Sequence, residues 1–141
     1  MDILRIGVGN LPVTDEGRRD VVEAALVFRR FALEHPGLFS IAFHRVDPAV
    51  WPRFRTAASD ALAILFDRFE ALAEQGLLAE RSIREAVFQF DALTEGLAAV
   101  ELRGVWLEVD AERMWRDAVS ALLVGLSEPA PDESPHGASE P

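Results

Sequence analysis

The sequence predicts an all-α fold, an antiparallel bundle of four long helices and one short one. Three observations carry this. Apolar residues recur at three- and four-residue spacing through four long segments. Capping residues bound those segments, with Ser82 and Asp110 ahead of two helices and Gly76 and Gly104 behind two. No segment shows the period-two alternation of a half-buried strand.

The elements follow in order. Residues 1–16 read as an irregular opening punctuated by Gly7, Gly9, Asn10, Pro12 and Asp15. Gly7-Val8-Gly9 is no dinucleotide loop, because Pro12 stands where the third glycine belongs and no strand and helix flank it. The first long helix is predicted to start near Thr14 or Asp15, either of which can cap it. Its apolar face, with Val21, Val22, Ala25, Leu26, Phe28, Ala32 and Leu33, is broad enough to pack on more than one side. His35-Pro36-Gly37 ends it, since proline cannot continue a helix and restricts the residue before it.

A short helix is predicted over residues 38–43, and Asp47-Pro48 and Trp51-Pro52 break the chain again. The longest helix spans residues 52–75, striped by Phe54, Ala58, Ala61, Leu62, Leu65, Phe66, Phe69, Leu72 and Ala73. A capping box of Ser82 and Glu85 opens the next, over residues 82–102. Asp110 caps the last, whose face holds Met114, Trp115, Ala118, Val119, Leu122, Leu123 and Leu126. Residues 17–126 therefore make one helical domain. Residues 127–141 mix proline, serine, glycine and acids, the composition of a disordered tail.

Composition narrows the function. The 141 residues suffice for one domain with a real core, and half of them are apolar. Twenty-four acids against fourteen basic residues leave a net charge of −10. Duplex DNA is bound mainly by neutralising phosphates, so this chain alone is expected not to bind it. All fourteen basic residues are arginine, the bias of a GC-rich bacterial genome. With no cysteine, disulfides and thiolate metal sites are excluded. The N-terminus lacks a signal-peptide pattern, and the apolar run at residues 118–126 is far short of the ~20 residues of a membrane span. A soluble, cytoplasmic protein is expected. Three histidines and few serines fall in no triad or metal spacing, so neither an enzyme, a cofactor nor a metal is expected.

Three pieces of text carry a family resemblance. The corner Phe31-Ala32-Leu33-Glu34-His35-Pro36-Gly37-Leu38-Phe39 comes first, and residues 86–104 second, running from Ala86-Val87-Phe88 to Glu101-Leu102-Arg103-Gly104. The third is Trp115, Ala118, Leu122-Leu123 and Gly125-Leu126. In this order they resemble the ligand-binding half of TetR-type transcriptional regulators, across residues 20–126. The resemblance implies a regulatory domain that binds a small apolar or amphipathic effector and makes a homodimer through its last two long helices. It also implies that the family's three-helix DNA-binding unit is missing from this chain.

Where the resembling helix carries a tryptophan and, four residues on, a histidine before glycine, this chain has Asp91 and Glu95 before Gly96. Residues four apart share a helix face. If that face lines the pocket, the two acids favour a cationic or hydrogen-bond-donating ligand. Otherwise they are a solvated pair, or are ion-paired to Arg29, Arg30 or Arg68. Phe43, His44, Phe66 and Phe69 complete the expected ligand-binding set. Gly96, Ala99, Trp115, Ala118 and Leu122 form the expected dimer interface. Gly96, inside a helix, implies close approach within the subunit or across the dimer. Trp115 fits core packing equally, most phenylalanines fit the core, and Arg29-Arg30 read as a solvated edge. The alternative function is a small helical interaction module that binds a partner chain through its last two helices and has no ligand.

Overall fold

The structure is a computed structural model that describes residues 16–44 and 51–131; the side chains of residues 41–44 and 51–62 lie outside the description. Five helices fill the described residues: α1 (Gly17–Glu34), α2 (Pro36–His44), α3 (Trp51–Glu74), α4 (Ile83–Leu102) and α5 (Ala111–Ser127). No strand occurs among these residues. Thr14 and Asp15, the expected first caps, lie outside them, as does the tail from residue 132 onward.

α1 is the central rod, in contact with each of the other four helices. Its buried residues run from Val21 and Val22 through Ala24 to Phe28, then Phe31 and Ala32, a face wide enough to serve several neighbours. Its first turn docks on the end of α3. The Gly17 N–H donates to Gln75 Oε1 at 3.0 Å, which satisfies a free helix-terminal donor from another element. A Cβ on Gly17 would come within 2.7 Å of that oxygen and 2.8 Å of Leu72, so glycine allows the approach.

The corner after α1 is tighter than the sequence suggests. Only His35 separates two helices, and Pro36 is the first residue of α2 instead of part of the break. A proline fits there because its missing N–H is one of the unsatisfied donors of a first turn. The His35 N–H donates to the Phe31 carbonyl at 2.9 Å, and its ring lies 5.6 Å from that of Phe31.

The other ends follow their signals. After α3, Gly76 takes φ +73° while Leu77 N–H donates to Leu72 and Gly76 N–H to Ala73, a Schellman closure. Ser82 accepts from the Glu85 N–H at 3.4 Å, and Asp110 from the Arg113 N–H at 3.1 Å. Arg81 in the α3–α4 connection donates to the Glu128 carbonyl at 3.1 Å, tying down the chain as it leaves α5.

The core lies among α1, α3, α4 and α5. Trp115 and Phe69 are 0% exposed, with Phe28, Phe31, Phe39, Phe90, Leu72, Leu123 and Leu126 buried around them. Phe28 meets Phe39 edge-on at 6.0 Å and Trp115 at 6.4 Å, and Phe69 meets Phe90 at 5.6 Å. Edge-on and tilted rings at these separations add to simple burial.

Candidate functional site

The buried residues of α4 are Ala86, Val87, Phe90, Thr94 and Ala98, which fixes the side of the helix that meets the core. Asp91 and Glu95 sit one step round from that side, four residues apart, and both are half-buried. Burial pushes the Asp91 carboxyl above its ordinary range. Glu95 is raised to about 7, first by burial and second by the charge of Asp91. Phe88, on the same flank, is 45% exposed, with the Arg84 guanidinium 5.3 Å over its ring.

The cations expected as partners are not there. Among the described residues, neither Asp91 nor Glu95 makes an ion pair. Arg29 binds Glu101, through Nε at 3.0 Å and Nη2 at 2.7 Å, so it is no solvated edge residue. Glu101 also accepts from Trp115 Nε1 at 2.8 Å. One carboxylate thereby joins α1, α4 and α5, with Arg29 18% and Glu101 12% exposed. Sequence reasoning missed this node. The signal was present: Glu101 falls in register with Phe90, Thr94 and Ala98, and an acid on the core side of a helix needs a partner.

Among the other expected ligand residues, Phe69 is buried in the core against Phe90, and Phe66 is half-buried beside it on α3. Phe66 and Phe69 thus stand on a helix packed against the one that carries Asp91 and Glu95. The side chains of Phe43 and His44 lie outside the described residues. An open groove of about 490 Å³ runs between α1 and α5, lined by Arg18, Arg19, Arg116, Val22, Leu123 and Val124 among others. Its arginines are largely neutralised, Arg19 by Glu16 and Arg116 by Glu23 and Glu112.

The expected interface set divides. Gly96 is exposed, and a Cβ built on it would meet nothing within 4 Å. Ala99, Ala118 and Leu122 are half-buried. Trp115 is a correction: at 0% exposed and hydrogen-bonded to Glu101, it is an internal residue with no surface to offer a second copy. Small residues not in the expected set are also exposed on these two helices. Ala92 is exposed on α4, as are Ala121 and Gly125 on α5, and a Cβ on Gly125 would also meet nothing. Their spacing, Ala92-Gly96-Ala99 and Ala118-Ala121-Gly125, is the three-and-four rhythm of one helix face, which the sequence alone could have exposed.

Compared with known proteins, residues 21–122 match the family model described as the tetracyclin repressor-like C-terminal domain. No curated protein and no solved structure matches the chain.

Proposed function

Because the chain belongs to the tetracyclin repressor-like C-terminal domain family, we propose that it is the effector-sensing and pairing domain of a transcriptional regulator. It makes a homodimer through the outer faces of α4 and α5. The single observation that supports this best is the pair of outward glycines. A glycine inside a helix costs about 1 kcal/mol relative to alanine. Gly96 and Gly125 have open space where a Cβ would go, so nothing in their own described surroundings requires glycine. A second copy laid against this face would require it, because small residues let helix backbones approach closely. An isologous pair uses the same patch twice, which small residues on both packed helices suit.

The effector is a small apolar or amphipathic molecule, and its polar end is a cation or a hydrogen-bond donor. Asp91 and Glu95 support that end: two half-buried carboxylates with no cation paired to them among the described residues favour a ligand that brings one. Tetraphenylphosphonium, an apolar cation, is a suitable probe. It should raise the melting temperature of the chain increasingly as its concentration exceeds its dissociation constant, and lose that effect in an Asp91→Asn/Glu95→Gln variant. Equal shifts in both proteins would contradict the assignment.

Pairing is tested by light scattering at micromolar concentration. The natural chain should have twice its mass of 15.6 kDa, and Gly96→Leu should fall toward a monomer while keeping its helical circular dichroism. A Gly96→Leu protein of unchanged mass would count against the α4 face.

A further inference from the structure

We infer that pairing through α4 is linked to protonation of the Asp91–Glu95 carboxyl pair, so that the domain associates more tightly as the solution becomes more acid. The inference rests on the pairing reading above and adds its regulation. Its geometry is that of a carboxyl pair at the rim of a face meant to be covered. Glu95 immediately precedes Gly96, the outward glycine of α4, and Phe88, seven residues before Glu95 on the same flank, is 45% exposed. Among the described residues no buried side-chain nitrogen or oxygen lacks a hydrogen-bond partner, so the two half-buried carboxyl groups still keep water. A second copy seated on the neighbouring surface removes part of that water, and an ionised carboxylate resists the loss far more than a neutral carboxyl does.

Among the described residues, no cation on a packed helix pairs with either acid. α4 packs against α1, α3 and α5. On α1, Arg29 is bound to Glu101 and Arg19 to Glu16, while Arg18 and Arg30 are exposed. On α5, Arg116 is bound to Glu23 and Glu112, and Arg113 lies 3.8 Å from Asp117. On α3, Arg68 is buried and engaged, while Asp67, Glu70 and Glu74 are acids and supply no positive charge. On α4 itself, Arg84 lies over Phe88. Among the described residues, the charge that acts on Glu95 is that of Asp91, and it favours the protonated form.

The sign then follows. Glu95 already holds its proton up to about pH 7 in the single chain, and further burial raises that value in the pair. Association therefore takes up protons around neutrality, and the dimer loosens as pH rises. Each proton taken up changes the dissociation constant by at most about tenfold per pH unit, so one per copy gives at most about a hundredfold.

Sedimentation velocity of the full chain between pH 6 and pH 8.5 tests this, on the natural protein and on Glu95→Gln. The natural dimer should weaken by about tenfold or more across that range. Glu95→Gln should pair at pH 8.5 about as tightly as the natural chain does at pH 6, with most of the slope gone. Asp91→Asn removes the neighbouring charge and should move the midpoint to lower pH. A natural dimer of pH-independent strength would overturn the linkage and leave pairing intact, as would an unchanged slope in Glu95→Gln, which would place the proton elsewhere. A natural chain that stays monomeric at every pH would overturn the pairing reading and the linkage with it.

Discussion

Two glutamates on one helix show how far burial and partnership decide what a carboxylate does. Glu101 is the more enclosed, yet it has three hydrogen-bonding contacts from Arg29 and one from Trp115. Removing it leaves a mostly buried guanidinium and an indole N–H without an acceptor, so Glu101→Ala should cost about 3 kcal/mol in urea unfolding. Glu95 is less buried and has no such partner. Its folded value lies above its ordinary 4.5, at about 7, so the stability tied to its proton is complete below about pH 4.5 and lost as pH rises through about 7. Glu95→Gln should therefore raise the melting temperature at pH 8 and leave it unchanged near pH 4.5. The gain is about 1 kcal/mol once solvent screening of a half-exposed group is discounted. A larger gain at pH 4.5 than at pH 8 would reverse the assignment. Residue type alone separates neither role: helical register sets Glu101 on the core side with Phe90, Thr94 and Ala98, and the neighbouring helices supply the partners.

At the scale of elements, local chemistry was the readable part. Ser82, Asp110, Gly76 and Gly104 mark helix ends because each satisfies or releases a specific backbone group, and these signals depend on no distant residue. Replacing Asp110 with alanine should accordingly cost about 1 kcal/mol by chemical denaturation, the usual worth of one capping carboxylate. The corner at His35 was half readable: proline announced a boundary, but whether it ended the break or opened α2 depended on the packing of Phe39 against Phe28. The docking of Gly17 against Gln75 joins residues 58 apart in sequence and left no local mark at all. α4 carries both kinds of information. Its core register and cap are evident from periodicity, whereas the ion pair that anchors its last turn to α1 is a tertiary fact.

For the whole molecule, the fold is a set of amphipathic helices around the central α1, with small residues among those exposed on α4 and α5. Trp115 seemed suited to that outer side as an interface aromatic, and the structure places it within the core, where its N–H has the acceptor it needs. Exposed on α4 and α5 are the small residues Ala92, Gly96, Ala121 and Gly125, and a Cβ on either glycine would meet open space, which leaves room for another backbone. The central claim is that a second copy occupies this room. The chain has no cysteine, so a single spin label can be placed cleanly. At Arg113→Cys on α5 it removes only an exposed pair, and at Gly37→Cys on α2 it meets open space. Double electron–electron resonance should give a well-defined interspin distance for Arg113→Cys, shorter than that for Gly37→Cys. No dipolar signal from either site, or a shorter distance at Gly37, would contradict pairing through α4 and α5.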